Sequence, residues 1–337
     1  MRDTESSVEL QTRNLGVVLV RLTENSLTRR KRKRLRRADK ARRRGPIADW
    51  VVAILVAMGW VLLMNQYAVQ AYAIPSPSME PTLQIGDRLF VDKMSYGPEL
   101  LPGIGKLPAL STPARNDIVV FESPQYVSRG PVFETLNRIV HMATLSLVTI
   151  DRDQNGEPRA QFLIKRVVGV PGDIVTFHKD TGAFLVRPLG ESAAIGDRML
   201  ANNADGTHKV QRLVDPQRGT AIRDVAQRVA HLRASAKDQE ARATIREKLT
   251  PREARGQRFQ YWYWREVAAM DPADARTRAY VAQFDNGIYV PDGRFLPLGD
   301  NRDNSHDGRY YGPVRNDALF GRPLLRMWPL SRLGAIR

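Results

Sequence analysis

One uncharged stretch constrains the architecture of this 337-residue chain more than any other feature. No charged residue occurs from Trp50 to Met79, and the run from Trp50 to Met64 is apolar throughout. A helix of about 21 residues is about 31 Å long, which matches the roughly 30 Å hydrocarbon core of a bilayer. The sequence therefore predicts a transmembrane helix, which we assign to residues 46–73.

Positive charge is concentrated on the N-terminal side of this helix. Residues 1–45 hold 15 Lys and Arg against 5 Asp and Glu, which is +10 of the net charge of +16. Because basic flanks stay inside the cell, we predict a cytoplasmic tail over residues 1–45 and export of everything after about residue 72. The densest block, Arg29–Arg44, is typical of a solvated, disordered segment that contacts anionic lipids. DNA binding by this tail is the alternative, but the adjacent membrane helix favours a role in topology, and we predict no nucleic-acid partner.

A cleaved signal peptide is the other interpretation of the N-terminal region. Ala71-Tyr-Ala73 has the form of a cleavage site. However, the segment before the apolar run would be 45 residues long, and Pro75 lies just past the bond that would be cut. These features favour a retained anchor, and Ala71-Tyr-Ala73 then becomes a site of possible self-cleavage, with Pro75 as a guard.

The residue types present exclude several kinds of chemistry. The chain has no cysteine, which excludes disulfides, thiolate catalysis and cysteine metal sites. The five histidines show no paired metal-ligand spacing. Asp151-Arg-Asp-Gln-Asn-Gly156 begins like a calcium loop, but Phe162 stands at the twelfth position, where glutamate is needed, so a hairpin turn is favoured. We predict no metal and no cofactor.

The exported part begins as a series of short β-type segments separated by Gly and Pro, as in a mainly β domain. The predicted strands lie at 88–92, 117–121, 145–150, 161–168 and 173–177.

The composition changes near residue 185. Apolar residues recur at helical spacing between Thr220 and Arg258, among many Arg, Glu, Ala and Gln, which predicts one or two helices. The aromatic run Tyr261–Trp264 is read as packing this insert against the main sheet, with a nucleic-acid or carbohydrate platform as the alternative. β-type sequence resumes at Gly287. The resulting division is a first catalytic part over 74–184, an inserted helical or mixed subdomain over 185–285, and a second catalytic part over 286–337.

Three segments carry the chemistry. They are Pro75-Ser-Pro-Ser-Met-Glu-Pro-Thr-Leu83, Ile164-Lys-Arg-Val-Val-Gly-Val-Pro-Gly-Asp173 and Leu298-Gly-Asp-Asn-Arg-Asp-Asn-Ser-His-Asp-Gly-Arg-Tyr-Tyr-Gly312. In this order, and after an N-terminal anchor, they resemble bacterial type I signal peptidase, the leader peptidase family of Ser-Lys proteases. The resemblance covers roughly 46–180 and 286–330, and it implies a signal-peptidase-like β catalytic domain.

Ser78 and Lys165 match the nucleophile and the general base of that family. A serine hydroxyl is a poor nucleophile until a base removes its proton, and a lysine can do so only as a neutral amine. An exposed lysine has a pKa near 10.4, so the site has to lower it by about 2–3 units. Burial in an apolar strand does this, and strand alternation places Lys165 on one face with residues 163 and 167.

The resemblance also implies roles for other residues. Ser76 would join the Ser78 backbone N–H in the oxyanion hole, and Ser305 would orient the lysine amine. A supporting shell would consist of Asp300, Asn301, Arg302, Asp303, Asp307 and Arg309, with an Asp307–Arg309 ion pair. Met79, Leu83 and Phe90 are candidates for the substrate pockets, although each suits the core equally well.

Two details of the motifs need separate treatment. Asn116 stands where the family usually has glycine, and asparagine tolerates the positive φ that such a turn needs. Ser305-His306-Asp307 has the composition of a Ser-His-Asp triad, but consecutive side chains point apart, so these three cannot form a triad among themselves.

The resemblance implies a membrane-anchored serine endopeptidase that removes signal peptides from exported preproteins after small residues of the Ala-x-Ala type. Its partners would be signal peptides, membrane lipids and the export machinery. It would be a single-pass protein of the bacterial inner membrane, with a cytoplasmic N-terminus and a periplasmic catalytic domain, and Trp328 would be among the side chains that dip into the bilayer. The alternatives are a specialised Ser-Lys peptidase of one secretion or pilus system, a non-catalytic membrane-anchored scaffold, and a self-cleaving Ser-Lys repressor, which lacks any counterpart of the anchor.

Overall fold

The computed structural model of the protein describes residues 28–34, 46–101, 104–144, 150–152, 156, 159, 161–179, 181–196, 210 and 214–336. Residues 28–34 are helical and exposed, whereas the basic block was expected to be disordered. Arginine and lysine have high helix propensity, which favours a helix in this segment. The rest of the basic tail lies outside the described residues.

The apolar helix spans Pro46–Tyr67, 22 residues, or about 33 Å at 1.5 Å per residue. Its large side chains are exposed, as in Ile54, Leu55 and Trp60, so the helix is apolar around its whole circumference. Among the described residues, Ile47–Tyr67 is the one helix that is long and apolar enough to cross a membrane. This agrees with the predicted segment except at its C-terminal end.

The prediction that the helix reaches residue 73 is wrong. Residues Val69–Ala73 form a strand instead, paired antiparallel with Arg88–Asp92. The uncharged stretch continues past this point, so charge alone does not mark where the helix ends. The pairing partner, which is distant in sequence, decides the conformation of residues 69–73.

Apart from residues 214–286, the structure after the apolar helix is predominantly β, as expected. The described strands are β1 Val69–Ala73, β2 Arg88–Asp92, β3 Glu99–Leu101, β4 Ile104–Lys106, β5 Ile118–Glu122, β6 Phe162–Gly169, β7 Ile174–Phe177, β8 Phe184–Arg187, β9 Ile195–Gly196, β10 Ile288–Tyr289, β11 Arg294–Leu298, β12 Val314–Arg315, β13 Leu319–Trp328 and β14 Gly334–Ala335. The main sheet has the order β1-β2-β13-β5-β6-β11-β12, with β14 on β13. A smaller sheet has the order β10-β7-β8-β9, and β3 pairs with β4.

Four of the five predicted strands are confirmed as β2, β5, β6 and β7. The fifth, 145–150, lies outside the described residues except for Ile150. Strand β2 could be predicted because its buried residues, Leu89 and Val91, alternate with partly exposed ones. The helix Pro131–Ala143 was not predicted from the sequence.

Two apolar clusters lie on the two faces of β5 and β6 and set the position of the site. One contains Val119, Phe121 and Val167, and the other contains Met79, Leu83 and Ile118. Lys165 pairs directly with Val119 across the two strands. It therefore shares its face with the first cluster, as the alternation predicts.

A bundle of helices follows the smaller sheet and is called the helical insert (residues 214–286) below. Its helices are Gly219–Ala234, Asp238–Lys248, Pro251–Arg255, Gln257–Met270 and Ala275–Asn286. The helical interpretation is confirmed, but the helices are more numerous than expected, and β8 and β9 occupy the first part of the predicted 185–285 subdomain. The aromatic run Tyr261–Trp264 lies inside a helix.

Those aromatic residues pack within the insert. Tyr261 is fully buried, while Trp262 and Tyr263 flank the insert's apolar cluster around Ile222 and Val229. The ring of Phe284, which contacts Tyr261 edge to face, also contacts Phe177 of β7 with ring centroids 6.2 Å apart. The aromatic run therefore packs inside the insert rather than against the main sheet, and Phe284 links it to the smaller sheet.

Candidate active site

Ser78 lies in a single tight turn, Pro77–Met79, directly after the edge strand β1. The Met79 side chain is fully buried and anchors this turn in the core. Asn301 holds the turn from the other side, because its Nδ2 donates to the Pro77 carbonyl (3.0 Å) and its backbone N–H donates to the Ser78 carbonyl (3.1 Å). The Ser78 hydroxyl is therefore carried on backbone that is fixed at both ends.

Lys165 reaches the same hydroxyl from β6. Its Nζ lies 2.8 Å from Ser78 Oγ and 2.9 Å from the Ile164 carbonyl. The residue is 3% exposed. Burial lowers the pKa of Lys165 to about 8, although the carboxylates of Asp307 and Asp300 act in the opposite direction. At this pKa roughly a tenth of the amine is neutral at pH 7 and able to accept a proton.

The Ser76 hydroxyl is adjacent to the nucleophile. Its Oγ donates to Ser78 Oγ at 3.3 Å, and the residue is exposed. A donor at this position could also point at an oxygen that develops negative charge next to Ser78.

Ser305 and Ser78 both pack against Gly299. A Cβ added at Gly299 would lie 2.2 Å from Ser305 Oγ and 2.5 Å from the Ser78 carbonyl oxygen, so only glycine fits between them. The Ser305 hydroxyl is buried near the Asp307 carboxylate, but it makes no hydrogen bond of ordinary geometry within the described part of the chain. The proposed orientation of Lys165 by Ser305 stays a prediction.

Asp300 forms a buried bidentate ion pair with Arg166 that was not predicted from the sequence. Arg166 Nε and Nη2 each donate to this carboxylate at 2.8 Å, and Thr82 Oγ1 donates to it at 2.6 Å. The Arg166 Nη1 also donates to the Asn116 carbonyl at 2.7 Å. Asn116 has φ of 72°, which confirms that the turn survives the replacement of glycine. The signal available in the sequence was an arginine in an otherwise apolar strand, next to Lys165.

The Asp307–Arg309 ion pair is present at the C-terminal end of residues 299–309. Arg309 Nε and Nη2 donate to the carboxylate at 2.6 and 2.9 Å, and the Gly299 N–H donates to it at 2.8 Å. Burial opposes ionisation of Asp307, but Arg309 and these N–H donors hold its pKa below the ordinary value. Arg302 donates to the Gly299 carbonyl, and Asp303 accepts from the Val214 N–H at 2.9 Å.

The three substrate-pocket candidates are differently placed. Met79 and Leu83 are both 0% exposed in the core, and Phe90 is half-buried on β2. Contact of Met79 or Leu83 with a substrate would require the core to open, and all three assignments stay predictions.

The described contacts of His306 are with residues other than Ser78 and Lys165. Its Nε2 lies 3.1 Å from Gln125 Oε1, and its ring stacks on Tyr310 at 4.7 Å between centroids. The contacts of His306 therefore give it no direct part in a triad with its neighbours.

The arrangement supplies the parts of a nucleophilic hydrolysis: a hydroxyl, a buried amine of lowered pKa, and an N–H or O–H donor beside them. Two buried carboxylates, each paired with an arginine, hold the surrounding loop in place.

Comparison with known proteins agrees with this chemistry. The sequence model of the family "Signal peptidase, peptidase S26" matches residues 47–328. Signal peptidase I of Pseudomonas fluorescens is 26% identical over 269 residues, covering 80% of this chain and 63% of the relative. A probable signal peptidase I-2 of Synechocystis is 24% identical over 287 residues, covering 85% of this chain and 73% of the relative.

The chain thus spans a little under two thirds of the length of the Pseudomonas relative. A crystal structure of a signal peptidase I from Enterococcus faecalis overlays with a TM-score of 0.24 and 18% identity, covering 63% of this chain and 97% of the other, and it adds nothing to the assignment. Because the family match extends over more than half of the sequence and includes all three motif segments, this chain belongs to the signal peptidase family, peptidase S26.

Proposed function

We propose that the protein is a membrane-anchored serine endopeptidase that removes signal peptides from exported preproteins, after small residues of the Ala-x-Ala type. The observation that carries this proposal is the 2.8 Å separation between Lys165 Nζ and Ser78 Oγ, both buried. The family membership and the names of the relatives support the same activity.

In the proposed reaction the Ser78 oxygen attacks the carbonyl carbon of the scissile peptide bond while Lys165 Nζ takes the hydroxyl proton. The Ser78 N–H and the Ser76 hydroxyl stabilise the oxyanion of the tetrahedral intermediate. The C–N bond then breaks, and the ammonium of Lys165 returns the proton to the leaving amine. A water molecule, deprotonated by the same amine, then attacks the ester carbonyl between the signal peptide and Ser78. The C–O bond to Ser78 breaks, the ammonium of Lys165 returns the proton to Ser78 Oγ, and the signal peptide leaves as a carboxylate.

The proposed topology places the apolar helix Pro46–Tyr67 across the inner membrane, with the basic tail in the cytoplasm and the β domain outside. Exposed apolar side chains at the end of β13 and just after it, Trp328, Leu330 and Leu333, support contact with lipid. Signal peptides, membrane lipids and the export machinery are the proposed partners.

A cleavage assay on a preprotein with an Ala-x-Ala site tests the activity. Ser78→Ala and Lys165→Arg should each reduce cleavage by about 10⁴-fold or more, because arginine keeps the charge but cannot act as a base. Full activity of Lys165→Arg would overturn the mechanism. Unchanged thermal unfolding of both variants is the control for folding.

A panel of unrelated preproteins separates a general enzyme from a dedicated one. Cleavage of most members agrees with the general function proposed, and cleavage of a single pilin-like substrate would point to the specialised peptidase. Absence of cleavage of every substrate by the wild-type protein would favour the non-catalytic scaffold.

A further inference from the structure

The helical insert makes polar contacts with the loop that supports the Ser-Lys pair. This loop, residues 299–309, is called the catalytic loop here. It carries Asp300 and Asn301 at its start and Asp307 and Arg309 at its end, all of which hold the site. In the part of the chain that the structure describes, Val214 of the insert bonds to the middle of this loop and Gln257 bonds to its end.

The first contact is made by the backbone of Val214. Its side chain is 7% exposed and packs into the apolar cluster of the insert. Its N–H points the other way and donates to Asp303 Oδ2 at 2.9 Å. One residue therefore belongs to the core of the insert and to the hydrogen bonding of the catalytic loop.

Arg258 keeps Val214 in this position. The guanidinium donates to the carbonyl oxygens of Val214 and Asp215, each at 3.2 Å. The residue is 6% exposed. A buried guanidinium needs hydrogen-bond acceptors around it, because an unpaired buried charge is costly. Arg258 therefore holds residues 214–215 in this position.

The second contact is made by the neighbouring residue, Gln257, which is 8% exposed. Its Oε1 accepts from Arg309 Nη1 at 3.4 Å. The same guanidinium binds Asp307 and donates to the Arg302 and Ser305 carbonyls at 2.7 and 3.1 Å. Gln257 thus extends the network around the end of the loop into the insert.

Small displacements of this loop would reach the nucleophile. Gly299 leaves no room for even a methyl group between Ser305 and the Ser78 carbonyl, and Asn301 is bonded to the Ser78 turn directly. A misplacement of about 1 Å can reduce the rate of an enzyme by about 10²-fold.

We propose that the helical insert positions the catalytic pair, and that Asp303, Gln257 and Arg258 are positioning residues that hold the catalytic loop against Ser78 and Lys165. The inference rests on the proposed peptidase function. It assigns the insert a role in kcat and in the burial of Lys165, without any contact between the insert and the substrate.

The test compares Asp303→Ala, Asp303→Asn and Gln257→Ala with Gln227→Ala in the full-length protein. Gln227 is the matched control because its Nε2 bonds Glu266 inside the insert. Asp303→Ala should lower kcat on the order of tenfold while KM stays within about twofold, because the lost contact is remote from the substrate. Asp303→Asn retains an oxygen acceptor for the Val214 N–H and should restore most of kcat. Gln257→Ala should show a smaller loss, in line with its longer hydrogen bond.

A second readout follows Lys165 itself. A loosened loop admits water, and since burial lowers the pKa of Lys165, the pKa should rise toward its ordinary value in Asp303→Ala. This titration is measured by NMR on protein with ¹³C-labelled lysine, with the Lys165→Arg variant identifying the signal. The acid limb of the rate profile should move to higher pH by the same amount.

The outcomes are distinct. Unchanged kcat and unchanged Lys165 titration in Asp303→Ala would overturn the inference, as would equal losses in Gln227→Ala and Gln257→Ala, which would indicate a general effect of insert stability. If the wild-type protein cleaves no preprotein, the proposed function fails, while the Lys165 titration still decides whether the insert controls the burial of the amine.

Discussion

Two ion pairs, one in the catalytic loop and one in the helical insert, lie at opposite depths. In the loop, the Asp307 and Arg309 side chains are 0% and 5% exposed. In the insert, the Lys237–Glu240 pair spans 3.7 Å, and its side chains are 56% and 62% exposed. Ion pairs of the loop therefore fix geometry, whereas this pair of the insert lies in solvent.

The energetic expectation differs accordingly. Removing one partner of a buried ion pair leaves an uncompensated charge and costs about 3–5 kcal/mol. An exposed pair is worth about 0–1 kcal/mol because water and salt screen it. The difference predicts which charges of this protein tolerate substitution.

The largest effect is expected for Asp307→Ala. Arg309 would lose its carboxylate while still buried, and the Gly299 N–H would lose its acceptor. We expect a loss of about 3–5 kcal/mol in the free energy of unfolding. Chemical denaturation of the detergent-solubilised protein measures it.

A matched control lies ten residues downstream. Arg315 and Asp317 have the same spacing as Asp307 and Arg309, but their side chains are 67% and 58% exposed. Asp317→Ala should cost less than about 1 kcal/mol. Equal losses for the two aspartates would show that burial does not separate these pairs, and the comparison would fail.

Ser76→Ala should have the next largest effect, and on rate rather than stability. The residue is exposed, so its removal leaves the fold intact, but one proposed oxyanion donor is lost. We expect kcat to fall by about 10²-fold with little change in KM. Ser76→Thr keeps the hydroxyl and should recover most of the rate, whereas equal activity of Ser76→Ala and wild type would remove Ser76 from the oxyanion hole.

The pH dependence of cleavage tests the loop's influence on Lys165. The amine must be neutral to act as base, so kcat/KM should rise with pH and level off above the pKa of about 8. The Asp300 and Asp307 charges raise this pKa. Asp300→Asn removes one of them, so the acid limb should move to lower pH. A shift to higher pH would mean that entry of water outweighs the lost charge.

Features that depend on neighbouring residues were predicted more accurately from the sequence than features that depend on distant ones. Strand alternation identified β2, and motif order brought Ser78 to Lys165 across 87 positions. The Arg166–Asp300 pair was missed because the partners are 134 positions apart and alternation does not select one arginine. The end of the apolar helix was misplaced because β2 decides it. Apolar character alone did not tell whether Met79 lies in a pocket or in the core.

The smallest effect is expected for Glu240→Ala in the helical insert. The substitution removes the exposed contact with Lys237 and an acidic residue from the first turn of helix Asp238–Lys248. The lost ion pair and helix-dipole interaction together contribute less than about 1 kcal/mol, and alanine returns part of this through its higher helix propensity. The free energy of unfolding should change little. The kcat/KM should equal that of the wild type, because none of the described contacts of Glu240 is with the catalytic loop. A tenfold loss of kcat/KM without a change in stability would mean that surface charges of the insert also act on catalysis. The two ion pairs would then differ in depth but not in role.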